Sequence, residues 1–175
     1  MTEENTSPAV EEQIPEAGFA IQKIYLKDLS FETPSGLEAF TKAWKPNVQQ
    51  DLNIQVNPVE EGLFEVVLLL TITARIDNKV VFLVEVKQAG LFLINGLDGI
   101  QLSHAINTLC PQILFPYARE TIDSLLTRGG FPALMLAPIN FDAVFAQAVM
   151  QVQQQAEANA VATAEHAAEA PVTVN

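Results

Sequence analysis

This chain is poor in what covalent cross-linking and reaction chemistry require. One cysteine, Cys110, stands in 175 residues, so no intrachain disulfide can form and the framework gives no sign of a secreted, disulfide-stapled protein. There are two histidines, His104 and His166. A metal site needs several His, Cys or carboxylate ligands at ligand spacing. His104 and Cys110 alone fall short of that, and a helix-packing histidine and a buried thiol are the simpler reading. Nothing near the pair would orient a Cys–His nucleophile. Gly90, Gly96 and Gly99 bracket a strand end without GxGxxG order or a P-loop lysine, and Gly129-Gly130 fit a helix stop. No apolar run reaches the ~18–20 residues that span a bilayer, and the longest candidate lies at Val66–Ile72. The opening MTEENTSPAVEEQ is acidic and polar, the reverse of a signal peptide. These absences predict a cytoplasmic protein with no catalytic residues, cofactor, metal or direct membrane insertion.

Positive charge is scarce as well. The chain has 21 acidic and 9 basic residues, a net charge of −12. All Lys and Arg lie between Lys23 and Arg128, while Glu3, Glu4, Glu11, Glu12 and Glu16 load one end and Glu157, Glu165 and Glu169 the other. Such a balance repels phosphate backbones and anionic lipid, and it suits cationic partners. Nucleic acid is not an expected partner. Residues 1–18 read as a disordered acidic tail and the Ala-rich residues 157–175 as another, leaving one domain over 19–156.

What is present is strand, then helix. Strand-like sequence runs from Phe19 to about Asp28, and a connection carrying Phe40 and Trp44 leads to Pro46. Leu52, Ile54 and Val56 alternate with Asp51, Asn53, Gln55 and Asn57, the period-two pattern of a strand with one wet face. Leu63–Ile76 and Val80–Ile94 are rich in Val, Leu, Ile and Phe, and Asp77-Asn78 between them favours a tight hairpin. Parts of both strands are apolar on each face, so a second subunit or an apolar ligand is expected on the face the helices leave open. Ser103 is placed to cap a short turn ending near Pro111. Pro116 opens a helix striped with Ala118, Ile122, Leu125 and Leu126, which Gly129-Gly130 stop. Asn140 is an N-cap candidate, with Asp142 near the positive end of the dipole and Phe141, Val144, Phe145 and Ala148 at helical spacing. The class is α+β: a four-stranded antiparallel sheet with C-terminal helices packed on one face, in an oligomer.

Asp28 and Glu32 admit three readings from their positions: a solvated strand end, an acid–base pair, or, with Ser30 on the same face of an extended strand, an acidic contact surface. Phe40, Trp44, Phe131, Phe141 and Phe145 read as core. Phe40 and Trp44, however, lie in a connection where little area can be buried, and could help line a groove for extended apolar polypeptide.

Residues Asn107–Phe145, reading NTLCPQILFPYARETIDSLLTRGGFPALMLAPINFDAVF, closely resemble the C-terminal half of the SecB family of bacterial protein-export chaperones. Phe19-Ala-Ile-Gln-Lys-Ile-Tyr25 and Lys27-Asp-Leu-Ser-Phe-Glu-Thr-Pro34 support the resemblance, in the family's order, over residues 19–150. It implies a cytoplasmic homotetramer, a dimer of dimers, that holds unfolded precursor proteins and delivers them to the SecA motor. It also implies that Asp28, Glu32, Leu83 and Glu85 dock SecA's zinc-binding C-terminus, and that Val84, Val86 and Gln88 sit at subunit contacts. Trp44, Val48 and Phe141 are the candidates for lining the client groove. A SecB-like chaperone of a toxin–antitoxin system and an oligomeric α+β small-ligand binder are the alternatives.

Overall fold

The structure, a computed structural model, describes residues 18–168. Four strands, β1 (Gly18–Glu32), β2 (Asn47–Glu60), β3 (Leu63–Ile76) and β4 (Lys79–Asn95), form one antiparallel sheet in the order β1-β4-β3-β2. A short helix, α1 (Gly36–Thr41), interrupts the crossing from β1 to β2. After β4 the chain stays helical from Gly99 to Arg128: α2 (Gly99–His104), a π-helical segment (Ala105–Leu109) and α3 (Cys110–Arg128). An extended connection then leads to α4 (Phe141–Ala168).

The hairpin turn forms as its sequence demands. Asp77 and Asn78 take φ of 50° and 62°, and the type I′ turn requires positive φ at both central positions. It sets the register in which Ile72 faces Val84 and Leu70 faces Val86. Side chains alternate along each strand, so Val66, Leu68, Leu70, Ile72, Phe82, Val84 and Val86 share one face, and all are buried. α3 lies on that face, presenting Cys110, Leu114, Ala118, Ile122 and Leu126.

The opposite face is wet, and polar side chains of the same chain cover part of it. Tyr25 stands opposite Ala89, which stands opposite Val67. The Tyr25 hydroxyl donates to the Glu65 carboxylate on β3, so its ring crosses Ala89. Lys27 donates to both Glu65 oxygens at 2.8 and 2.7 Å, and the Asn57 amide donates at 2.7 Å. Ala89 and Val67 are consequently buried, at 0% and 1% exposure, without a second subunit or ligand above them. At those two positions the expectation of an external cover gives way to this cluster.

Three further expectations change. Pro116 lies inside α3, not in its first turn. The helical run begins after Asp98, whose carbonyl accepts from Gln101 and Leu102, so Ser103 caps nothing. The π segment, where Cys110 N–H bonds to Ala105 at i−5, leads directly into Pro111, a residue with no N–H for the helical ladder. Towards the C-terminus α4 runs to Ala168, well past the expected boundary at 156, because alanine, glutamine and glutamate are strong helix formers. Residues 169–175 lie outside the described residues, as does the proposed acidic tail apart from Gly18, which opens β1.

Candidate functional site

The aromatic residues of the β1–β2 crossing meet those that follow α3. Phe131 is the hub, 4% exposed. Its ring lies 5.1 Å from Phe40, 5.6 Å from Trp44, 5.1 Å from Phe82 and 6.3 Å from Phe31. Gly129 and Gly130 allow this arrangement. A Cβ on Gly129 would fall 2.5 Å from the Phe31 ring, and Gly130 turns the chain with φ of 82°. Trp44 also stacks on Phe82 at 6.4 Å, and Phe82, Ala74 and Val48 form one cross-strand row beneath it. Ala74, the middle residue of that row, is fully buried. Trp44 remains 36% exposed and Phe40 56%, so a buried aromatic floor carries two open aromatic walls. Such a shelf offers apolar area and ring faces, and its side chains are aromatic and aliphatic, without a titratable group.

Trp44 and Val48 of the groove assignment thus lie at one place. Phe141 does not. It is 3% exposed, packed edge-on against Phe115 at 6.2 Å, and so belongs to the core. It is the first residue of α4, and the Asn140 side chain caps that helix at the Ala143 N–H, 3.0 Å away, which turns Phe141 inward. Phe40, which the sequence places in the same connection as Trp44, joins the shelf, and so does Phe131, which reads as core. The glycine pair before Phe131 was the signal that this ring reaches a close-packed position.

Two open grooves lie elsewhere. One of about 760 Å³ runs between α3 and the 131–140 connection, lined by Arg119, Asp123, Thr127, Met135 and Pro138. The other, about 520 Å³, lies between α2 and the start of α4, lined by Leu97, Ile100, His104, Leu109 and Asp142. Within it His104 Nε2 is 2.9 Å from Asp142 Oδ1, and its ring meets Phe145 edge-on at 5.5 Å, so the histidine joins α4 to the helix before it. Cys110 is fully buried and its thiol is pushed up to about 12 by that burial. It stays a packed thiol at neutral pH.

The four residues of the acidic assignment are neighbours on the wet face. Register places Glu32 opposite Leu83, Ser30 opposite Glu85 and Asp28 opposite Lys87, so Asp28, Glu32, Leu83 and Glu85 share one patch. Glu85 is exposed, with Thr71 Oγ1 3.5 Å away across β3. Leu83 is half-buried between the carboxylates. The patch offers negative charge around an apolar spot.

The three residues of the subunit-contact assignment are buried in the single chain. Val84, Val86 and Gln88 are 0%, 1% and 3% exposed within a single chain. They alternate with Leu83, Glu85 and Lys87, and so point to the helix side of the sheet. Gln88 spends its amide on the Tyr25 carbonyl at 2.9 Å. On that side of the edge strand β1, Phe19, Ile21, Leu26 and Leu29 are exposed, at 36%, 47%, 46% and 38%. Among the described residues no helix is long and apolar enough to cross a membrane, and no group of His, Cys, Asp or Glu is arranged to hold a metal.

The family model described as Preprotein translocase subunit SecB matches residues 11–154. A relative from Cellvibrio japonicus, named Protein-export protein SecB, is 70% identical over 157 residues, covering 90% of this chain and 94% of its own length. One of the same name from Ectopseudomonas mendocina is 50% identical over 160 residues, covering 91% and 99%. Among solved structures, a Mycobacterium tuberculosis SecB-like chaperone in complex with an antitoxin peptide superposes with a TM-score of 0.56 at 20% identity, covering 69% of this chain and 87% of that one, a likeness of fold. The sheet order, the helices on one face and the family match over most of the chain agree: the chain belongs to the SecB family of protein-export proteins.

Proposed function

We propose that this chain is a cytoplasmic export chaperone that holds unfolded precursor proteins, assembles with copies of itself as a dimer of dimers, and hands its clients to the SecA motor. The aromatic shelf is the observation that carries the reading. Phe40 and Trp44 stand partly open over the buried Phe131 and Phe82, and this suits an extended chain with intermittent apolar side chains. Each apolar side chain laid there removes area from water at about 25 cal/mol per Å². One shelf gives modest affinity, and several in one assembly multiply it through effective concentration. Unfolded clients are preferred because only they expose such side chains in extended form. No step needs a nucleotide or a reacting group. The patch of Asp28, Glu32, Leu83 and Glu85 lies on the wet face of the sheet, whereas the shelf lies on the helix side. A client and a basic segment of SecA can therefore be held at once.

Trp44 is the chain's single tryptophan, so its emission reports the shelf directly. Titration with a permanently unfolded apolar polypeptide should shift Trp44 emission to the blue, and the folded form of the same polypeptide should not. Trp44→Ala should weaken capture about tenfold in calorimetry, the loss of roughly 1.4 kcal/mol of contact, while leaving the mass of the assembly unchanged. Equal affinity for the folded and unfolded forms would remove this function.

A further inference from the structure

The acidic patch already holds a cation where a partner's cation would bind. Lys87 stands directly opposite Asp28 in the β1–β4 register, with its Nζ 2.7 Å from Asp28 Oδ2. The other carboxylate oxygen accepts from the Leu29 N–H at 3.0 Å. The pairing holds Asp28 below the usual carboxylate range and Lys87 above the usual lysine range, chiefly through their shared hydrogen bond. Glu32 and Glu85 make no such ion pair among the described residues, so two of the three carboxylates are open and one is occupied. Lys87 and Glu85 also lie on the same face two residues apart.

We propose that Lys87 is a built-in competitor for the docking patch. A basic partner segment can use Asp28 only by displacing the Lys87 ammonium, so this residue sets both the affinity of the patch and its dependence on salt. The proposal rests on the patch being a docking site for a basic segment. Lys27 supplies an internal comparison. It adjoins Asp28 in the chain and carries the same charge, but its ammonium is engaged by Glu65. Neutralising either lysine changes the net charge by the same amount. Only the change at Lys87 frees a patch carboxylate.

The test is calorimetric titration of the full assembled protein with the zinc-loaded C-terminal peptide of SecA, at low and at high salt. An exposed ion pair is worth little, so Lys87→Gln should bind about two- to fivefold more tightly than wild type at low salt. The gain should vanish at high salt, where exposed charges are screened. Lys27→Gln should stay at wild-type affinity. If Lys87→Gln binds no more tightly, or Lys27→Gln gains as much, the competitor role is overturned. Glu85→Lys tests the docking site itself: charge reversal should weaken binding strongly at low salt. If it does not, the docking reading fails and takes the competitor with it. A weakened Glu85→Lys beside an unchanged Lys87→Gln overturns the competitor alone.

Discussion

Glu65 shows how a single residue can close one face of a sheet. Its carboxylate collects the Tyr25 hydroxyl and the Lys27 ammonium from β1 and the Asn57 amide from β2, over the buried Ala89 of β4. Lys27, then Tyr25 and Asn57, hold Glu65 down at about 2, and the bond to Glu65 pushes Tyr25 up to about 12. Glu65 is lowered from its ordinary value near 4.5, so its contribution is complete above that value and is lost as pH falls towards about 2. Tyr25 is raised from 10.0, so its contribution is complete below that value and is lost as pH rises through about 12. Glu65→Ala removes charge-assisted bonds at a side chain only 13% exposed, and should cost ~2 kcal/mol in urea unfolding at pH 7. Between pH 4.5 and 2 the wild-type urea midpoint should fall more steeply than that of the variant. Parallel curves would mean that the cluster adds nothing.

Among the elements, α4 depends most on its first turn. Beyond Phe141, Phe145 and Val149 its described side chains are exposed, so little tertiary packing supports the helix. The Asn140 cap and the His104–Asp142 pair both act in that first turn. Asn140→Ala should therefore cost about 1 kcal/mol and speed amide exchange at the start of α4, while α3 keeps its protection. Unchanged exchange there would assign the helix start to Phe141 packing alone. Several elements were legible in the residues: the β3–β4 hairpin from Asp77-Asn78, β2 from its alternation, the α3 stop from Gly129-Gly130, and the Asn140 cap. The continuous helical run from Gly99 to Arg128 was not, because Pro111 and Pro116 each signal a break. The π segment ends just before Pro111. At Pro116 both the proline and Gln112, whose carbonyl loses its donor, are exposed, so water can serve that carbonyl. α1 was missed because Gly36–Thr41 is too short to show a period.

For the whole molecule, the consequential question is which face of the sheet turns inward, since a shift of one residue exchanges the faces. β3 and β4 are too apolar on both sides for sequence alone to decide. The exposed Glu85 marks the wet face in the structure, opposite the buried Val84 and Val86. Val84 and Val86 face the helix side, where they are already buried within the single chain. On the helix-side face of β1, Phe19, Ile21, Leu26 and Leu29 stay exposed in the single chain, and they are the positions open to a second copy in the proposed assembly. Among the described residues β1 is an edge strand, and an apolar stripe along such an edge is a template for a second copy. Two aspartate substitutions separate these roles. Val84→Asp places an unpaired charge at a site with 0% exposure and should lower the stability of the protomer itself by more than ~3 kcal/mol. Leu26→Asp, at a site 46% exposed in the single chain, should leave near-UV circular dichroism and cooperative melting intact while sedimentation shows a smaller species at micromolar concentration. A folded but dissociated Val84→Asp protein together with a fully assembled Leu26→Asp protein would return the interface to β4. The mass of Leu26→Asp carries the decision, because an interface along β1 cannot absorb a charge there without loosening.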